Sequence, residues 1–358
     1  MPDYFKQSVL ELHGYSSPPQ RDYKVKLNQN ESPFDVPQYL KDELAEAIKS
    51  LEWNRYPLNE SPILMEKLAQ RHNVCPEQIV LGNGSNQLFQ TLLTATIAAG
   101  DVVISTPPTF SLYDLYTTIY DAKAVNILQA PGTPYPVEQV TDAIAKHQPK
   151  LVLVCSPNNP TGGETDLAIV EQLCRASQGI IFFDEAYGEF SEHSAIPLLK
   201  KYDNLLISRT FSKAFSLAGL RFGYFVGQES VTRQLRKVNI PYNINLFTEL
   251  VAQRLLENEA EMLAQVAYLK QERDRVAAAM CRIDGIITFP SAANFILFKG
   301  PNDLDLFHIL KEYGILVRDV SSYPLLAGHQ RVSMGFKEEN DFFLETLEQI
   351  MHKYVGAT

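Results

Sequence analysis

The sequence predicts an α/β protein: a large domain on a mostly parallel sheet covered by helices, plus a smaller α+β domain from both chain ends. Three observations carry that reading. Lys150–Cys155, Gly179–Phe183 and Asn204–Ser208 are near-continuous apolar runs, the signature of strands buried on both faces. Helical patterns such as Leu167–Ala176 alternate with them. Near residue 245 the character changes to a long charged helical pattern followed by short strands.

Taken in order, residues 1–35 are polar, carry Pro18, Pro19 and Pro33, and predict an arm that lies on something else. Residues 36–72 predict two helical pieces broken near Tyr56-Pro57. Ile79–Leu81 is a short strand, Gln87–Ala98 a helix, Val102–Ser105 a strand, and Pro107-Pro108 opens a loop into a helix over Tyr113–Tyr120. The three apolar strands and the Leu167 helix complete the large domain. Leu246–Ile283 holds no Gly or Pro and predicts one helix bridging to the next domain. Ile286–Phe289, Asn294–Phe298, Gly314–Arg318 and Arg331–Met334 read as strands, and Leu304–Tyr313 and Glu338–Tyr354 as helices. The expected division is 1–44 for the arm and part of the small domain, 45–255 for the large domain and 256–358 for the rest of the small one.

Composition narrows the function. The chain has 358 residues, 45% hydrophobic and 21% charged, which excludes disorder, collagen and coiled coil as descriptions of the whole. Lys plus Arg is 32 against 42 for Asp plus Glu, a net charge of −10. That field disfavours nucleic acid and anionic membrane but leaves room for a local basic pocket. The four cysteines form no C-x-x-C pair and fit a reducing, cytoplasmic setting. The N-terminus lacks a signal-peptide pattern, and no run reaches the ~18 apolar residues of a membrane span. The seven histidines form no helical i, i+3 or i, i+4 pair, so no metal is expected.

Four motifs carry chemistry. Phe182-Phe183-Asp184-Glu185-Ala186-Tyr187 places acids at a strand end, but without a G-x-x-x-x-G-K-[ST] loop it is no ATPase site. Gly82-Asn83-Gly84 begins a dinucleotide fingerprint whose third glycine is replaced by Gln87, so a nicotinamide site is discounted. The same loop suits a phosphate cradle: Gly84 permits close approach, Ser85 is a good N-cap, and the helix dipole favours an anion. Plain helix capping is the ordinary alternative. Ser208-Arg209-Thr210-Phe211-Ser212-Lys213 sets a lysine among hydroxyls, with Arg221 eight residues later. Lysine is the side chain that condenses with carbonyls and whose pKa falls on burial. Thr210, Ser212 and Arg221 suit a phosphate beside it. Last, Ser156-Pro157-Asn158-Asn159-Pro160-Thr161-Gly162 is a turn after an apolar strand, where α/β proteins bind ligands.

The order Asn-Pro-Thr-Gly, Asp-x-x-Tyr, Ser-x-x-Lys and then Arg resembles the fold-type-I, class I and II pyridoxal-phosphate aminotransferases over essentially the whole chain. The resemblance implies pyridoxal 5′-phosphate as cofactor. It implies that Lys213 holds the cofactor covalently and moves the substrate proton, and that Asp184 pairs with the ring nitrogen. Tyr187 and Asn159 would reach the ring oxygen, and Phe110 would stack on the ring where many relatives have Tyr. Gly84, Ser85, Asn86, Thr210, Ser212 and Arg221 would cradle the phosphate. Tyr56, in Arg55-Tyr56-Pro57, is similar to the tyrosine that reaches the neighbouring subunit's phosphate, which implies a homodimer. On residues alone, packing beside a proline turn explains Tyr56 as well.

The chain ends resemble the histidinol-phosphate aminotransferases more narrowly. Leu27-Asn28-Gln29-Asn30-Glu31-Ser32-Pro33 matches their N-terminal signature except at Ser32, which is usually Asn. Pro241–Asn245, Ala293–Phe298, Gly314–Asp319 and Arg331–Gly335 look similar too. The resemblance implies substrate contacts at Arg331, Arg318, Asn30 and Tyr15. It implies amino transfer from histidinol phosphate to 2-oxoglutarate in histidine biosynthesis, giving imidazole acetol phosphate and glutamate. Alternatives on the same core are an aromatic-amino-acid aminotransferase and a threonine-phosphate decarboxylase. A regulator with a DNA-binding segment is disfavoured, because the stretch before Gly82 is not basic.

Overall fold

The computed structural model describes residues 4–12, 14 and 23–355. Its first half runs α1 (Gln7–Leu10), β1 (Val25–Lys26), α2 (Gln38–Lys49), α3 (Pro62–His72), β2 (Ile79–Gly82), α4 (Gly84–Thr96), β3 (Val102–Ser105), α5 (Leu112–Ile119), β4 (Lys123–Asn126), α6 (Val137–His147), β5 (Leu151–Cys155) and α7 (Leu167–Ala176). The second half runs β6 (Ile180–Asp184), β7 (Leu205–Thr210), β8 (Gly223–Gly227), α8 (Glu229–Val238), α9 (Leu246–Glu257), α10 (Glu259–Met280), β9 (Ile287–Thr288), β10 (Phe295–Lys299), α11 (Leu306–Glu312), β11 (Ile315–Leu316), β12 (Arg318–Asp319), β13 (His329–Ser333) and α12 (Lys337–Val355).

The large sheet has seven strands in the order β2-β8-β7-β6-β5-β3-β4. The strands β4, β3, β5, β6 and β7 are parallel, and β8 runs antiparallel to both its neighbours. This is the mostly parallel sheet the apolar runs predict. Alternation places each strand in two cores: Leu151 and Leu153 of β5 pack in one cluster, Val152 and Val154 in the other. Helices therefore cover both faces.

The smaller part is built from both chain ends. A four-stranded antiparallel sheet has the order β12-β13-β10-β9, and β1 of the arm pairs parallel with β11. Val25–Lys26 of the arm thus lies on the C-terminal segment, while Lys6 further up the arm pairs with Asp121 of the large domain.

Three sequence readings need correction. The 246–283 pattern is two helices, not one: Asn258, at φ −111° and ψ 28°, ends α9 and starts α10. Apolar periodicity passes through that residue, so the pattern does not reveal the break. The 314–318 run is likewise divided: β11 joins the arm, and β12 joins β13. Ser85 is not the N-cap of its helix. Asn83 holds that position and makes no side-chain capping bond, so Ser85 lies in the first turn.

Candidate active site

The parallel strands end together. Cys155 of β5 is in register with Asp184 of β6, and Asp184 with Ser208 of β7. A cleft of about 560 Å³ opens at these C-terminal ends, where α/β sheets bind ligands. Ser85, Asn86, Phe110, Asn159, Asp184, Tyr187, Thr210, Ser212, Lys213, Arg221, Asn30, Arg318 and Arg331 all line it.

Asp184 lines it and is buried. Tyr113 Oη donates to Oδ2 at 2.7 Å and the Ala186 amide to Oδ1 at 3.1 Å. Both donors are neutral. Burial therefore outweighs them, and the carboxyl is pushed up to about 6. Lys213 Nζ donates to the Gln29 carbonyl of the arm at 2.9 Å. Burial first, and then the charge of Arg331, bring its ammonium down to about 7. An amine near neutrality is a nucleophile and a proton carrier at ordinary pH.

A phosphate-sized cradle forms beside it. α4 begins with amides that no side chain caps, leaving Gly84, Ser85 and Asn86 free to meet an anion. Arg221 Nη1 donates to Ser212 Oγ at 3.2 Å and to the Ala218 carbonyl at 3.1 Å. Thr210 Oγ1 donates to Ser212 Oγ at 3.0 Å. Gly84 sits at φ +76°, and a Cβ there would stand 2.4 Å from Arg221 Nη2. A Cβ on Gly223 would stand 2.5 Å from the Ser85 nitrogen. These two glycines let the helix start close onto the arginine.

The opposite wall carries the basic groups. Arg331 Nη1 donates to Asn159 Oδ1, and its Nη2 to the Asn28 carbonyl at 2.8 Å. Arg318 and Arg331 are direct partners across β12 and β13. Like charges opposed in this way repel unless an anion lies between them. Tyr187 is buried edge-on against Phe295, with its phenol pushed up to about 12 by burial.

Not every expected residue sits as the sequence implies. Asn30 reaches the cleft wall, but its amide is engaged by Tyr187 and Ser333 rather than turned to solvent. Tyr56 is 81% exposed, stacks on Tyr242 at 4.7 Å, and stands apart from the residues that line its own chain's cleft. Tyr15 lies outside the described residues. Sequence reasoning missed Tyr113, Tyr116 and Tyr323, which border or line the cleft. Tyr113 follows Phe110 by three residues, and the two rings meet edge-to-face at 5.5 Å.

A phosphorylated pyridine cofactor fits these residues. Asp184 is a buried carboxylate whose partners are neutral, which suits a cationic ring nitrogen. The cradle at α4 suits the phosphate, and Lys213 the aldehyde. Among the described residues, no group of three or more His, Cys, Asp or Glu is placed to hold a metal ion, and no helix is long and apolar enough to cross a membrane.

Comparison with known proteins agrees with this geometry. Residues 22–347 match the family described as aminotransferase class I and II. The chain is 38% identical over 339 residues to the histidinol-phosphate aminotransferase of Ruminiclostridium cellulolyticum, covering 93% of this chain and 94% of that protein. Its identity to the histidinol-phosphate aminotransferase of Chlorobaculum tepidum is 36% over 331 residues, covering 92% and 95%. Among solved structures, the histidinol-phosphate aminotransferase of Sinorhizobium meliloti in complex with pyridoxal-5′-phosphate superposes with a TM-score of 0.87. The match covers 98% of both chains at 20% identity, and it shows a shared fold.

Proposed function

The chain belongs to the class I and II aminotransferase family, and from that premise we propose that it moves the amino group of histidinol phosphate to 2-oxoglutarate in histidine biosynthesis. The observation that carries the reading is the joint placement, in one cleft, of Lys213, Asp184, the α4 cradle and the opposed pair Arg318 and Arg331. Relatives 34–38% identical over more than nine tenths of this chain bear the histidinol-phosphate aminotransferase name.

Pyridoxal 5′-phosphate, when bound, supplies a ring that accepts the electron pair left when the substrate Cα loses its proton. The amides of α4, with Ser85, Asn86, Thr210, Ser212 and Arg221, bind its phosphate. Asp184 holds a proton at the ring nitrogen. Phe110 would lie against the ring, and Asn159 and Tyr187 would reach its oxygen. Lys213 Nζ, near half-neutral at pH 7, moves the proton at the substrate Cα. Arg331, helped by Arg318, binds the anionic end, a carboxylate in glutamate and a phosphate ester in histidinol phosphate. Both substrates share one site, so the transfer runs in two half-reactions.

The same reading includes a homodimer. Trp53, Tyr56 and Leu58 are 75%, 81% and 71% exposed, an apolar surface a partner would cover. Tyr56 then points to the neighbour's phosphate rather than its own. The reaction belongs in the cytoplasm, in keeping with sparse, unpaired cysteines.

The test is the half-reaction, followed by cofactor absorbance on adding one amine at a time. Rapid conversion with histidinol phosphate and glutamate, and poor conversion with phenylalanine, is the expected result. Conversion mainly with phenylalanine moves the function to aromatic transamination. Loss of carbon dioxide from threonine phosphate moves it to decarboxylation.

A further inference from the structure

Asn30 has every polar group in use. Its backbone N–H donates to Ser333 Oγ at 2.9 Å, and its carbonyl accepts from Asn294 Nδ2 at 3.1 Å. Its residue is at φ +55°, a left-handed conformation that asparagine tolerates better than most. The side chain makes two more bonds, one to Ser333 Oγ at 2.9 Å and one to Tyr187 Oη at 2.7 Å.

The structure gives those two bonds their directions. Ser333 Oγ accepts from the Asn30 backbone and gives its single hydrogen to Asn30 Oδ1. The amide Nδ2 is thereby turned to Tyr187 and donates to it. A phenol that accepts from an amide keeps its own hydrogen to give elsewhere. Tyr187 lines the cleft, so that hydrogen is available to a group bound there.

We infer that Asn30 is a positioning residue: by donating to Tyr187 it makes that phenol a donor toward the cofactor's ring oxygen, and through Ser333 it ties this setting to the strand that carries Arg331. The inference rests on the cofactor reading above. Ser333 lies two residues from Arg331 on β13, while Asn30 lies on the arm. Three separate segments must therefore meet before Tyr187 is set: the arm, β13 and the loop after β6. The charged or titratable groups facing Tyr187 are Arg331 from β13, Cys155 from β5 and Asp184 from β6. Lys213, from the loop after β7, lines the same cleft.

A bond donated to the ring oxygen stabilises its negative charge and so lowers the pH at which the bound chromophore loses its proton. The test is a pH titration of the cofactor-loaded protein's absorbance, without substrate. Asn30→Asp keeps the size but puts an acceptor against Tyr187, drawing its hydrogen away from the cofactor. The midpoint is expected to rise by about one unit, the scale of one lost charge-assisted hydrogen bond.

The new carboxylate also acts through space, so the cycle is repeated in Tyr187→Phe. There the Asn30→Asp shift should fall to less than half. Equal shifts in both backgrounds overturn the inference. Ser333→Ala supplies a second, uncharged probe: it frees the Asn30 amide to rotate, and a smaller rise is expected that disappears in Tyr187→Phe. An unchanged midpoint in Ser333→Ala, or a rise that persists without the phenol, overturns the inference while leaving the cofactor reading intact. A wild-type protein that shows no cofactor band overturns both together.

Discussion

Two buried polar clusters share the ends of β6 and β7, and they treat charge in opposite ways. Thr210 faces the cleft, while Arg209, one residue earlier, faces the other side of the strand. There Arg209 Nη2 pairs with Glu185 at 2.5 Å and its Nη1 with Glu189 at 2.9 Å. Arg71 joins Glu259 at 2.6 Å and Tyr224 at 3.1 Å, and His72 Nε2 meets the same Tyr224 hydroxyl at 2.7 Å. Burial, then the charges of Arg71 and Arg209, pull His72 down to about 2, so it stays neutral. Each cation in this cluster meets a carboxylate. In the cleft, Asp184 has neutral donors and Lys213 rests on a carbonyl. Adjacent residues of one strand end thus divide the labour: Glu185 satisfies its neighbours, and Asp184 waits for a ligand.

Substitutions on the two sides should separate rate from stability. Lys213→Ala should lose about 10⁴-fold or more in turnover, the upper range for removing a positioned acid–base group, with cofactor still bound through its phosphate. Steady-state kinetics checks it, and near wild-type turnover would reject the lysine's role. Asp184→Asn should lose about 10²–10³-fold in turnover, because the ring nitrogen no longer keeps its proton. The fold should be kept, and the cofactor-free protein should melt somewhat higher at pH 7, because a buried charge is removed.

Arg209→Met should do the reverse. It leaves Glu185 and Glu189 buried without their guanidinium and should cost about 3–5 kcal/mol, read from the denaturant midpoint. Residual folded enzyme should retain its KM.

A pH scan sharpens the contrast further. The Asp184 carboxyl is raised in the fold, so its contribution is present below about pH 4 and is lost as pH rises through about 6. Lys213 is lowered in the fold, so the unfolded chain holds more protons and stability rises with pH from about 7 toward 10.5. Both groups are charged together between about 6 and 7. The cofactor-free protein should show a stability dip there relative to the Asp184→Asn, Lys213→Met double variant, and equal curves would contradict the assignment. The smallest effect is expected at Tyr113→Phe. Loss of one donor to Asp184 should weaken cofactor binding by about tenfold, measured by fluorescence titration.

The parts legible in sequence are those where burial or chemistry leaves a local mark. The runs at 150–155, 179–183 and 204–208 are apolar because β5, β6 and β7 are central. By contrast, β4 (Lys123–Asn126) is an edge strand, largely exposed, and no run marks it. The antiparallel β8, for which no strand is predicted, is rich in glycine and aromatics, with Gly223 packed on α4 and Gly227 on Leu206. The residues proposed for the phosphate cradle meet in one cleft, and they are legible because they cluster in short motifs. The motif around Asn30 marks it as a cleft residue, but its partner Ser333 is 303 residues away, and no local pattern encodes such a bond.

That separation has a consequence for synthesis. The arm is made before its partners: β1 pairs with β11, and Asn30 with Ser333 of β13, 303 residues further on. At about 5–20 residues per second, those partners follow roughly 15–60 seconds later. Through that interval the large sheet can assemble while the cleft lacks one wall. The wall that carries Arg331 is therefore completed only once β13 has been made.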